Sequence, residues 1–120
     1  SVALEYAGYL QVIRALCPDH ELRQLRVTGG GERSAVWNQI KADVLDAPLV
    51  QVTDTEGAPR GAAMLAGFGV GLIDDLNAAA KQWVKVGQTT QPDPKRTPRS
   101  AARLDPYRRL VDLLSQWSRA

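Results

Sequence analysis

The chain of 120 residues contains one cysteine and one histidine. A lone Cys17 excludes an internal disulfide, and with only His20 to join it no metal-ligand set of the zinc type is expected. His20 falls in a polar loop and is given no role. No Gly-Lys-Ser/Thr follows the glycine cluster at positions 29 to 31, which excludes a P-loop. Arg33 and Ser34 stand where the last glycine of a G-x-G-x-x-G fingerprint would fall, so that register fails too. Apolar runs are broken by charge or glycine well short of the roughly 18 residues a membrane-spanning helix needs. No charged, apolar and then small-residue leader opens the chain, so no secretion signal is expected. Aromatic residues make up 6% of the chain and are not interleaved with its basic run, so stacking platforms for nucleic-acid bases are missing.

What is present fits one modest globular domain, with 44% hydrophobic and 23% charged residues. The net charge of +2 hides an asymmetry, because Lys95, Arg96, Arg99, Arg103, Arg108 and Arg109 face a single acid, Asp105, between positions 95 and 109. Such a run can bind phosphate or nucleic acid. It straddles a proline-rich stretch, however, and a solvated linker and helix face is the reading preferred here.

Helical periodicity opens the chain. Val2, Tyr6, Tyr9, Leu10, Ile13, Leu16 and Cys17 form an apolar stripe on a helix that should end before Pro18, with Cys17 packed in the core. A short strand over 24–28 is followed by the three glycines. A second helix runs from about Ser34 to Leu45, carrying Val36, Trp37, Ile40, Val44 and Leu45, and a second strand covers 49–53. Glu56 and Gly57 turn the chain into a third helix rich in glycine and alanine. Glycine inside a helix costs about 1 kcal/mol against alanine, so close approach of a backbone or a ligand is expected there. A fourth helix over 74–83, a short extended piece and a mobile loop with Pro92, Pro94 and Pro98 follow. Asp105 as N-cap and Pro106 in the first turn start a last helix bearing Tyr107, Leu110, Val111, Leu114 and Trp117. These elements suggest an α/β layer.

The strand, glycine turn and helix carry the functional signal. Residues without Cβ allow φ > 0 and let a ligand approach the main chain. The helix start behind them offers unpaired N–H groups and the positive end of a dipole, which suits a phosphate. Such turns also exist only to redirect the chain, and the physics alone leaves both readings open.

Order along the chain adds more. Thr28-Gly29-Gly30-Gly31, Arg33-Ser34, Trp37, Gln39, Ala42-Asp43-Val44-Leu45, and then Glu56-Gly57-Ala58 through Gly61-Ala62-Ala63-Met64-Leu65-Ala66-Gly67 to Gly71, closely resemble the C-terminal half of FGGY-family carbohydrate kinases. Trp37 and the Arg33-Ser34 pair fit the xylulokinase branch better than the glycerol kinase branch. The resemblance runs from about Leu4 to Val84 and weakens through the tail. It implies an incomplete actin-like, ribonuclease-H-like ATPase domain of α/β class, with helices packed on a small sheet of two or three short strands. Residues 1–91 would be the partial domain, 92–103 a Pro/Arg-rich loop, and 104–118 its C-terminal helix.

Position by position, the resemblance places Gly29, Gly30 and Gly31 at the nucleotide with their N–H groups as donors, and Ser34 as a further contact. Gln39 and Asp43 match a Gln-x-x-x-Asp pattern one helical turn apart, expected to tie the helix to neighbouring backbone. Trp37 either lines the adenine pocket or fills the core, the latter preferred. The implied cofactors are ATP and Mg²⁺. The phosphate loop, the sugar-binding segment and the catalytic aspartate of the family have no counterpart here, and none of the chain's aspartates sits in the base motif. No residue is therefore assigned to catalysis or to metal. The chain is expected to be the inactive nucleotide-side fragment of a cytoplasmic ATP-dependent sugar kinase converting D-xylulose to xylulose 5-phosphate. A catalytically dead nucleotide-binding or regulatory module is the alternative. The lack of an initiator methionine favours the fragment. Self-association is expected from the open strand edge, while nucleic-acid and membrane partners are not.

Overall fold

The computed structural model describes residues 2–19, 21–53 and 57–118; His20, Asp54 and Glu56 lie outside them. In chain order the elements are α1 (Val2–Leu16), β1 (Leu25–Val27), a 3₁₀ turn (Gly30–Arg33), α2 (Ala35–Leu45), β2 (Leu49–Val52), α3 (Gly57–Gly69), α4 (Leu76–Trp83), β3 (Val86–Thr90), α5 (Thr97–Ala101) and α6 (Leu104–Trp117).

β2 is the centre of a three-stranded sheet, flanked by β1 and β3. β1 runs parallel to it with Leu25 opposite Leu49 and Val27 opposite Gln51, the geometry that a crossover through α2 produces. β3 is antiparallel, with Val50 opposite Thr89 and an irregularity between Val50 and Val52. The extended piece expected after α4 is therefore a strand, and its pairing closes one side of β2. β1 pairs with its other side, so among the described residues β1 and β3 are the two edge strands.

The core lies where α1 and α2 meet the sheet. Ala7, Leu10, Ala42, Leu45 and Leu49 enclose one another, with Leu22, Leu25, Val27, Val44 and Leu104 against them. Alanine at three of the buried helical positions, Ala3, Ala7 and Ala42, lets the helices approach closely. α6 is held to α1 by the Tyr107 hydroxyl, which donates to Glu5 Oε2 at 2.7 Å, and by Arg108, which donates to Gln11 Oε1. The Tyr107 hydrogen bond, then one from Tyr9, holds the Glu5 carboxyl below its ordinary range.

Four local expectations differ from what folds. Cys17 is exposed rather than packed: it follows α1, whose residues from Gln11 to Leu16 are all exposed. Asp105 is not an N-cap: α6 starts one residue earlier at Leu104, and Arg103 precedes it in helical conformation. The reason is α5, which forms within the segment read as a loop and leaves Ala102 and Arg103 already in the αR region. Among the glycines of α3, a Cβ at Gly67 would lie 2.9 Å from Ile73 Cδ1, and one at Gly57 would lie 3.3 Å from Thr28 Oγ1. Gly61 and Gly69 meet nothing of this chain within 4 Å.

Candidate functional site

Of the three glycines, Gly29 alone adopts positive φ, at φ 99° and ψ 179°. That region is essentially closed to residues with a Cβ. It swings the chain off the end of β1 and into the 3₁₀ turn. Gly29→Ala should therefore destabilise the protein by about 1–3 kcal/mol in urea unfolding. Gly30→Ala, where an added Cβ meets nothing within 4 Å, should leave the midpoint almost unchanged.

Gly30 and Gly31 open the turn, so their N–H groups have no partner within it. Ser34 is the N-cap of α2: its backbone is extended, and its Oγ accepts from Trp37 N at 3.2 Å. The hydroxyl proton is not consumed by that bond and can be donated to a ligand. The Trp37 ring lies half-buried against the turn, with Cδ1 3.5 Å from where a Gly31 Cβ would stand. Lys41 Nζ sits 5.6 Å from the ring centroid on the other side, within cation–π range. Burial lowers the pKa of Lys41, and the Glu32 carboxylate partly offsets the effect.

The turn is clamped from beneath by residues that sequence reasoning did not single out. Asn38 Nδ2 and Gln51 Nε2 both donate to the Glu32 carbonyl, at 2.6 and 2.7 Å. Glu32, Asn38 and Lys41 are buried despite being polar. Their one visible signal is spacing: Ser34, Asn38 and Lys41 recur at i, i+4 and i+7, a polar stripe on the face of α2 that meets the turn. A polar cavity of about 340 Å³ opens beside them, lined by Glu32, Arg33, Asn38, Gln39, Gln51 and Gln88 among others.

Gln39 and Asp43 stand apart from the glycine turn in what they bind. Gln39 Nε2 donates to Asp43 Oδ1 at 2.7 Å and to the Gln91 carbonyl at 3.0 Å. Asp43 Oδ1 also accepts from Asp93 N at 2.8 Å. The pair thus fastens α2 to the chain just beyond β3. Among the described residues no group of three His, Cys, Asp or Glu side chains stands together to hold a metal ion. Nor is any described helix long and apolar enough to cross a membrane.

Comparison with known proteins adds an independent line. The profile of the FGGY family of carbohydrate kinases, C-terminal domain, matches residues 1–70. A xylulose kinase of Staphylococcus epidermidis is 30% identical over 74 residues, covering 62% of this chain and 15% of the relative. A glycerol kinase of Bordetella parapertussis is 35% identical over 119 residues, covering 99% and 23%. The crystal structure of xylulose kinase from Rhodospirillum rubrum superposes with a TM-score of 0.70 at 28% identity, covering 99% of this chain and 24% of that one. The chain thus spans less than a quarter of the length of each of these relatives.

Proposed function

The chain belongs to the FGGY family of carbohydrate kinases, with its sheet and helices forming part of an actin-like ATPase fold, and we propose that it supplies the nucleotide side of an ATP-dependent sugar kinase. The observation that carries this reading is the glycine turn. Gly29 bends the backbone as only glycine can, Gly30 leaves the approach open, and two N–H groups stand free at its start. Behind them the N-terminus of α2 contributes the positive end of a helix dipole, favourable to a phosphate by about 0.3–1 kcal/mol.

In the proposed arrangement the N–H groups of Gly30 and Gly31 donate to phosphate oxygens, and the Ser34 hydroxyl adds a third donor. Trp37 stiffens the turn from one side, while Asn38 and Gln51 fix its carbonyl from the other. Mg²⁺, when bound, would supply charge neutralisation to the triphosphate. Phosphoryl transfer depends on several positioned groups acting together. The complete reaction proposed for the whole protein is ATP plus D-xylulose giving ADP plus xylulose 5-phosphate in the cytoplasm. Trp37 and Arg33-Ser34 support xylulose over glycerol, although a glycerol kinase matches over nearly the full chain.

The reading is tested by titrating the chain calorimetrically with ATP and ADP in the presence of Mg²⁺. Weak saturable binding is expected. Gly30→Val should lower the ATP affinity by at least about tenfold, while leaving stability within about 0.5 kcal/mol, because the added side chain meets only the space a nucleotide would use. Unchanged affinity would remove the site from the glycine turn. The chain alone should not phosphorylate xylulose, and turnover above a mock-purified control would refute that.

A further inference from the structure

Part of the exposed basic run lies on a helical face rather than along an irregular linker. Arg96, Arg99 and Arg103 are spaced i, i+3 and i+7, and the backbone from Arg96 through α5 to Arg103 stays helical. That spacing puts the three side chains on one side. α5 packs against α2, and between them lies a cavity of about 370 Å³ lined by all three arginines. Its remaining walls include Leu4, Ile40 and Val44, with Asp43 and Ser100. Ile40 keeps 43% of its surface in contact with solvent, so the apolar wall is accessible.

The charges within this cavity are not balanced. Asp43 lends its Oδ1 to Gln39 and to Asp93 N. Arg96 Nε is 3.3 Å from Asp93 Oδ2, and its terminal nitrogens carry further donors. Arg99 and Arg103 have no carboxylate partner among the described residues. Guanidinium groups bind phosphate oxygens in bidentate fashion, and two uncompensated ones match a dianion better than a monocarboxylate. We infer that this cavity is an organic phosphate site, distinct from the glycine turn, in which Arg96, Arg99 and Arg103 hold a phosphomonoester dianion. Leu4, Ile40 and Val44 take up the apolar part of the molecule.

The test is calorimetric titration of the chain in a phosphate-free buffer of low ionic strength, with phenyl phosphate, inorganic phosphate and benzoate as probes. Phenyl phosphate should bind saturably and at least about tenfold more tightly than either of the others, since benzoate offers the arginines only a monoanion and inorganic phosphate has nothing for the apolar wall. The double substitution Arg99→Gln, Arg103→Gln should weaken both phosphates by at least about tenfold, and Ile40→Ser should weaken phenyl phosphate while leaving inorganic phosphate unchanged. Arg23→Gln removes a charge from the distant Glu21 pair and serves as the control for bulk charge, with no effect expected. All four positions are exposed, and circular dichroism verifies that each variant is folded. Absence of saturable phosphate binding overturns the proposal. So does benzoate binding as tightly as phenyl phosphate, or an equal loss in Arg23→Gln.

Discussion

Leu49→Ala is expected to lower the unfolding free energy by about 2–5 kcal/mol, the range for emptying a buried leucine site. Leu49 is 1% exposed and is the largest side chain so thoroughly enclosed. It begins β2, where it stands opposite Leu25 of β1 and Thr90 of β3, so it holds both helices and the whole sheet. Its buried neighbours Ala7 and Ala42 are too small to collapse into the space it would leave. Domains of this size have only about 5–15 kcal/mol in hand, and a large share would be lost. With a urea dependence of about 1–3 kcal/mol per molar, the midpoint should fall by more than about 1 M. Leu49→Met keeps the volume and should cost less than about 1.5 kcal/mol. A midpoint unmoved by the alanine would mean that the core is not organised around this residue.

The order of elements was legible from periodicity because helix and strand leave different spacings in the apolar residues. What covers each face was not. On α2, Val36 and Ile40 belong to the apolar pattern yet are 72% and 43% exposed, whereas Asn38, Lys41 and Asp43 are buried. A helical stripe reports which side is greasy, while burial depends on which neighbours arrive. Asp43 accepts from a partner distant in sequence, Asp93 N, and Asn38 donates to the Glu32 carbonyl that Gln51 also reaches, a convergence no local pattern reveals. The arginines of this segment, Arg96, Arg99 and Arg103, are exposed as the sequence suggested, but that they line one cavity beside α2 was not visible in it.

At the candidate site the glycines were legible as a turn, since only glycine tolerates the Gly29 conformation. Which of the three needed to be glycine was not, because spacing does not distinguish the residue that bends the chain from those that merely keep it bare. The Gln39–Asp43 contact followed from their one-turn separation. Its second half, the hydrogen bonds to Gln91 and Asp93 beyond β3, required the antiparallel pairing of β3 with β2, which has no signature in sequence spacing.

Sedimentation at micromolar concentration should show this chain as a dimer or larger species. Its accessible surface is 8850 Å², against about 6400 Å² for a compact monomer of this mass. The radius of gyration is 17.7 Å, where about 14 Å is usual for the length. Much of the excess is apolar: Tyr6, Tyr9 and Ile13 on α1 are each close to half exposed, as are Leu110 and Leu114 on α6, and Trp117 is 80% exposed. β1 adds an open strand edge beside α1, and unpaired edges readily accept another chain. Patches of this extent are uncommon on monomers. A stable interface takes about 800 Å² from each partner, well within the excess, and a closed two-fold pair is the commonest solution. Ile13→Glu with Leu114→Glu should weaken the association by at least about tenfold, because each puts a charge into a surface that must lose its water. Both positions are exposed in the single chain, so its helical content should not change. A monomer throughout the micromolar range would mean that the chain repacks to cover these residues, and the open arrangement would have to be given up.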